Sequence, residues 1–417
     1  MTGTARSAGP VAGAGVAVNV VVAGTTLAIA RLLNSREYGT FIELVAVFYV
    51  LTMPGLALAI AVVRRMTDQL AQVGSAALAG WVSTVRRKVY LAAAAGFVVG
   101  AALSEPIARL LAIRSTGGLV ETFGAGALWT VVCFERALLQ ARQAYPAYAS
   151  NLLLEGVLRC AVTLGAVGAG LGVPGAAAGL LISLPSAIGH ARWAEHRLAA
   201  APPPPPGEQP ARREAPGRPR HDALLALAAL GLLAVLQNVD VLVLGRHDPA
   251  SSGSYGAVSV ACKSLVLIAF VLAGFLLPEA ATRRATGHHA MTSLVVSLTF
   301  VAVPSALLIL LAAVDGHPLL SLAFGKRLAG ASGAFTPLAV AMALLAASVV
   351  LTHYLLAAGE RPVLWVLLVA GVGTTLALAL AGTSPSRVAW TDAIAQAALA
   401  AALVAIVALH HRRLFSQ

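Results

Sequence analysis

The sequence predicts an all-α polytopic membrane protein of about twelve transmembrane helices, arranged as two pseudo-symmetric six-helix bundles. Three observations carry this reading. Of 417 residues, 59% are hydrophobic and 11% charged, whereas a water-soluble chain carries about a quarter charged residues. Apolar runs of roughly 20 residues, the length that crosses a hydrocarbon core, follow one another almost end to end. One polar, proline-rich stretch divides them into two sets of six.

The spans read from the apolar runs are 10–32, 39–63, 89–112, 118–140, 149–170, 173–192, 223–245, 255–278, 291–314, 331–357, 361–382 and 387–409. The first is too long for a cleavable signal peptide and reads as a span. An even number of spans puts both termini on one side. With the N-terminus inside, the inner loops hold Arg64, Arg65, the cluster Arg86-Arg87-Lys88, Arg212, Arg213, Arg283 and Arg284, among others. The opposite side holds fewer than half as many basic residues, including Arg31, Arg36, Arg246, Lys326 and Arg327. Basic loops stay cytoplasmic, so the expected location is the cytoplasmic membrane, multi-pass, with both termini in the cytoplasm. Between spans two and three, Leu70, Val73, Ala77, Trp81 and Val85 recur at helical spacing. That spacing predicts an amphipathic helix from Met66 to Lys88 lying on the inner headgroups.

The run Pro202 to Pro206, followed by Arg212, Arg213, Pro216 and Pro219, is incompatible with a helix and predicts an extended linker. The expected organisation is therefore an N-terminal bundle 1–192, a cytoplasmic linker 193–222 and a C-terminal bundle 223–417. The halves share an order of features. In the first, Arg31 ends a span, Tyr38-Gly39 follows, then a span with Pro54 and the pair Arg64-Arg65. In the second, the same order runs Arg246, Tyr255-Gly256, Pro278 and Arg283-Arg284. Six spans repeated in the same orientation imply a repeat axis along the membrane normal.

The net charge of +12 does not point to nucleic acid, because the cations sit in loops between apolar spans rather than on one binding face. Cys133, Cys160 and Cys262 lie inside apolar segments without metal-ligand spacing, so no metal site or disulfide framework is expected. Gly325-Lys326 lacks the glycine spacing and hydroxyl of a phosphate-binding loop, and there is no HExxH or CxxC. With short outer loops poor in catalytic groups, an enzyme is not expected. No cofactor is predicted.

Charges inside spans are expensive and generally face the protein interior. Here they are Glu43, Glu135, Arg136, Glu155, Arg159, Asp240, Lys263 and Asp392. Glu155 and Arg159 stand i,i+4 on one span and can pair. Lys263 lies too deep to reach the headgroups, and Asp240 on the preceding span is its expected partner. Gly165, Gly168, Gly170 and Gly172 predict close helix contact and a turn, while Pro185, Pro304 and Pro337 can kink or start spans.

Several short motifs resemble polysaccharide-type flippases (Wzx-like) of the multidrug/oligosaccharidyl-lipid/polysaccharide exporter (MOP) superfamily. They are Ala30-Arg31-Leu32-Leu33 with Glu37-Tyr38-Gly39 and Phe41, and Asn238-Val239-Asp240-Val241-Leu242-Val243-Leu244-Gly245 with Gly253, Tyr255 and Gly256. Leu319 to Lys326 and Leu356-Ala357-Ala358-Gly359 add to the resemblance. It implies a MATE-like fold in which two bundles open alternately inward and outward. It also implies a polyprenyl-diphosphate-linked oligosaccharide as substrate, flipped outward during surface polysaccharide biosynthesis, with the bilayer and a polysaccharide polymerase or glycosyltransferases as partners. On that reading Arg159 and Lys263, then Arg31 and Arg136, contact the diphosphate. Glu43, Glu155, Asp240 and His353 serve ion coupling (H+ or Na+) or buried pairing. The alternatives are an ion-coupled small-molecule exporter of the same superfamily, a membrane glycosyltransferase or ligase, and a scaffold for glycosyltransferases.

Overall fold

The computed structural model describes residues 2–70, 75–113, 115–200, 219–285 and 291–415. Among them are twelve α-helices, all long and apolar enough to cross a membrane, and no strand. In chain order they are α1 Thr2–Leu32, α2 Ser35–Leu70, α3 Ser75–Leu111, α4 Thr116–Ala141, α5 Tyr145–Gly168, α6 Gly172–Ala200, α7 Pro219–His247, α8 Ser252–Ala285, α9 Met291–Phe324, α10 Phe335–Ala358, α11 Pro362–Leu380 and α12 Pro385–Phe415. A 3₁₀ segment, Lys326–Ala334, leads into α10. Each expected span has its helix, and this is the fold class the apolar runs predict.

Local chemistry sets the ends. Ser115 caps α4 by accepting from the Gly118 N–H at 3.1 Å, and prolines open α5 and α11, where no intrahelical donor is lost. Gly359 closes α10 with φ +81, a left-handed conformation that only glycine adopts without strain. Pro304 and Pro318 lie inside α9, whose helical path breaks at Asp315. Pro185 lies inside α6, and Pro337 sits in the first turn of α10.

The chain forms two compact units. Unit 1 comprises Met1–Ile29, Leu51–Ile107 and Ser115–Leu227. Unit 2 comprises Ala30–Val50, Ala108–Arg114 and Ala228–Gln417. In unit 1, α6 packs along both α4 and α5. In unit 2, α10 is the central helix, packed on α8, α9 and α12, and it buries fifteen of its residues, from Phe335 to Leu355.

Unit 2 thus includes the start of α2, which packs on the start of α8. Gly39 abuts Ser252 and the backbone of Gly253, Gly253 abuts the Ser35 carbonyl, and Gly256 meets Ile42. Tyr38 and Tyr255, the two members of the repeated Tyr-Gly signature, are both fully buried there.

Three sequence expectations change. The segment 66–88 is not a separate surface helix. From Ser75 it is the first part of α3, and Met66, Leu78 and Val82 are buried in a cluster with Phe134 and Leu138 of α4. Of the expected apolar face, Trp81 and Val85 pack against this cluster, while the Leu70, Val73 and Ala77 side chains lie outside what is described. Second, α6 continues through 193 to Ala200, while most of the expected linker, 201–218, lies outside the described residues. Third, Gly165 and Gly168 face open space, and only Gly170 and Gly172, with positive φ, make the turn. The close α5–α6 contact comes instead from Gly179, where a Cβ would overlap the Thr163 hydroxyl and press on the Arg159 carbonyl.

Candidate functional site: charged clusters inside each unit

Unit 1 holds a chain of charges across α4, α5 and α6. Asn151, fully buried near the start of α5, organises it. Its Nδ2 donates to the Ala187 carbonyl of α6 at 2.7 Å and stands 3.2 Å from His190 Nδ1. That orientation presents Oδ1 to Arg136, whose Nε donates to it at 2.7 Å. The Arg136 guanidinium lies 5.8 Å from the Trp129 ring centroid and reaches Glu155 at 3.7 Å. Glu155 in turn stands 3.3 Å from Arg159, one helical turn on. The Glu155 side chain is 3% exposed and that of Arg159 is 21% exposed. Two guanidiniums share one carboxylate, so the triad carries a surplus positive charge, and its most accessible member is Arg159.

A second network in unit 1 is balanced. Arg86 of α3 makes a fork to Glu135 of α4, with Nε and Nη2 each donating at 2.8 Å. Tyr90 donates to the same carboxylate at 3.2 Å. Arg86 also pairs with Glu195 of α6, which stands 3.6 Å from Arg142. Two carboxylates meet two guanidiniums. The sequence reading placed Arg86 in an inner loop and Glu195 in the linker. The extensions of α3 and α6 beyond the expected spans bring Arg86 to Glu135 and Glu195 to Arg86.

Unit 2 holds the opposite imbalance. Lys263 Nζ stands 3.4 Å from Asp240 Oδ1 and donates to Asn238 Oδ1 at 3.3 Å. Tyr255 donates to Asp240 Oδ2 at 3.1 Å, and the Ser259 hydroxyl lies at 3.5 Å. Asp392 of α12, within electrostatic range of Asp240 and Lys263, accepts from Gln396 Nε2 at 3.0 Å. Asp240 and Asp392 are fully buried. Among the described residues Asp240 Oδ1, Asp392 Oδ2 and Gln396 Oε1 receive no hydrogen bond, although such buried acceptors are normally satisfied. Two carboxylates against one ammonium leave a negative surplus.

The other expected site residues lie elsewhere in unit 2. Arg31 is exposed and donates to the Leu322 carbonyl at 2.6 Å, while Arg327 donates back to the carbonyls of Arg31 at 3.0 Å and Leu33 at 3.2 Å. Glu43 is buried against Gly245, where any Cβ would overlap its carboxylate. His353 Nδ1 stands 2.8 Å from the Val349 carbonyl of its own helix and faces the edge of Phe270. The pair Glu155–Arg159 is legible from its i,i+4 spacing, and Asp240–Lys263 from its place on adjacent spans. Asn151 and Gln396 were missed; the i,i+4 spacing of Asp392 and Gln396 was an available signal. Among the described residues no group of His, Cys, Asp and Glu forms a metal cluster.

No family model and no curated protein matches this sequence. Solved structures do match its fold along almost the whole chain. A structure titled lipid II flippase MurJ, inward closed conformation, superposes with a TM-score of 0.68 at 14% identity, covering 94% of this chain and 86% of that one. A variant of the Vibrio cholerae MATE transporter VcmN gives 0.64 at 13% identity, covering 99% and 96%. The eukaryotic MATE transporter AtDTX14 gives 0.62 at 15% identity, covering 97% and 96%. At these identities the likeness is one of fold: the chain is a multi-pass membrane protein with the architecture of MurJ and the MATE transporters.

Proposed function

We propose that this protein is a flippase that carries a polyprenyl-diphosphate-linked oligosaccharide across the cytoplasmic membrane by alternating access, with both termini in the cytoplasm. The observation that carries the reading is the surplus cation of the Arg136–Glu155–Arg159 triad. A cation inside a span needs an anionic partner, and Glu155 is already shared. The partly exposed Arg159 is free to exchange Glu155 for a phosphate oxygen, a charge-assisted contact that arginine makes in bidentate form. Lys263 is a second diphosphate contact in unit 2 once a bound cation offsets Asp240 and Asp392, Arg31 is a supporting cation, and the buried Arg136 acts through Glu155. The shared fold with a lipid II flippase supports a lipid-linked substrate, and the motif resemblance supports an oligosaccharide of surface polysaccharide synthesis.

The physics requires a protein for this step. Burying one hydroxyl without a partner costs roughly 2–7 kcal/mol, so a bare sugar chain does not cross while its prenyl tail stays in lipid. An inside-negative potential helps move anions outward by about 2.3 kcal/mol per charge per 100 mV. The anionic surplus at Asp240 and Asp392, with its unsatisfied oxygens, suits a small countercation, H+ or Na+, that resets the carrier. A polymerase or glycosyltransferases would consume or supply the substrate.

The same pair of carboxylates favours a second reading, a cation-coupled exporter of small molecules. Proteoliposomes containing a fluorescent polyprenyl-diphosphate glycan separate the two. The flippase reading expects the probe to become accessible to a membrane-impermeant quencher, and expects Arg159→Gln to abolish this while sparing the fold. If the glycan stays inaccessible while an organic cation is exchanged against the ion gradient, the exporter reading stands instead.

A further inference from the structure

The last turns of α6 sort their charges by face. Ala191 and Ala194 are buried and Glu195 turns inward to Arg86 and Arg142. Arg192, Trp193, His196 and Arg197 are exposed. At 100° per residue these four form one arc of the helix, with an arginine at each edge. Arg197 stacks over the Trp193 ring at 4.1 Å, which holds its guanidinium out on a rigid platform. Among the described residues neither Arg192 nor Arg197 has an ion-pair partner.

Compensation of the helix dipole explains a basic residue in the final turn, Arg197. It does not explain Arg192 about a turn and a half earlier, nor a tryptophan 51% exposed between the two arginines. The arc belongs to a helix whose apolar stretch, Gly172–Leu198, is long enough to cross the bilayer. What surrounds its last turns is therefore the headgroup layer, where tryptophan is favoured and where arginine meets phosphate. The chain continues from here into 201–218, whose sequence adds Arg212, Arg213 and Arg218.

We propose that this arc is a binding patch for anionic phospholipid headgroups, with Arg192 and Arg197 contacting the phosphates and Trp193 seating the glycerol region. The patch stands whether or not the flippase reading does. Its selectivity follows from the inward turn of Glu195. With the one acid of this stretch neutralised inside the unit, the outer arc presents only positive charge and discriminates anionic from zwitterionic lipid.

The test is thermal melting of the full-length protein in neutral detergent, titrated with phosphatidylglycerol or with phosphatidylcholine. Phosphatidylglycerol is expected to raise the melting temperature and phosphatidylcholine to leave it unchanged. A cationic side chain at an anionic surface contributes about five-fold in affinity, so the half-effect concentration in R192Q/R197Q should rise roughly twenty-five-fold. R192Q and R197Q singly should fall between, and these milder variants carry the test if the double variant does not fold. R36Q/R387Q, which removes two exposed arginines outside α6, should respond like the unaltered protein. An unchanged midpoint in the α6 variants, an equal response to phosphatidylcholine, or an equal loss in R36Q/R387Q would overturn the patch.

Discussion

Arg136 and Arg159 share Glu155 but stand in different surroundings, and this separates architecture from function at the level of single residues. Arg136 is sealed between α4, α5 and α6, held by Asn151 and Glu155. Removing one partner of a buried pair leaves an uncompensated charge, which costs about 3–5 kcal/mol. Glu155→Gln should therefore lower the melting temperature markedly and impair folding. Arg159→Gln removes a partly exposed partner and should cost less than about 1 kcal/mol, yet abolish substrate movement. Parallel melting and transport assays check both, and equal damage to stability in the two variants would make Arg159 a structural residue. In unit 2, Asp392→Asn should weaken the coupling of transport to an ion gradient while leaving Lys263 its partner Asp240. A transport rate in proteoliposomes that stays gradient-dependent in this variant would remove Asp392 from the cation site.

Among the elements, helix extension decides which charges meet. Arg86 bridges Glu135 and Glu195 only because α3 and α6 run past the spans read from the sequence, 89–112 and 173–192. Arg86→Ala should strand the buried Glu135 carboxylate and destabilise unit 1 by about 3–5 kcal/mol, read by melting in detergent. Close backbone approach decides which helices meet. Gly253 lies against the Ser35 carbonyl, so Gly253→Val must push the start of α8 off the start of α2. The expected result is loss of cross-linking between cysteines placed at positions 36 and 252, while a native-like yield would show the contact to be dispensable. Span positions were legible because roughly 20 consecutive apolar residues have few other uses. The extensions were not, because Arg, Glu and His at a helix end read by hydropathy as loop. The segment 66–88 misled for a related reason. An amphipathic pattern shows that one face is covered, and at Trp81 and Val85 what covers it is protein rather than lipid.

For the molecule as a whole, the two units carry opposite surpluses of buried charge, positive at Arg136–Glu155–Arg159 and negative at Asp240–Lys263–Asp392. A carrier that moves an anion one way and a small cation as its return load needs both signs inside spans. The pairs at i,i+4 or on adjacent spans were visible in the sequence. The imbalance was not, because it depends on Asn151, Gln396 and Asp392 joining groups far apart along the chain. The fold has the architecture of a lipid II flippase and of MATE transporters.

The central claim meets its most direct test in the leaflet distribution of labelled lipid-linked glycans in cells depleted of this protein. The account predicts accumulation in the inner leaflet, reversed by the native chain but not by one carrying Arg159→Ala and Lys263→Ala. Normal delivery to the outer leaflet in the depleted cells, or full rescue by the doubly altered chain, would contradict it.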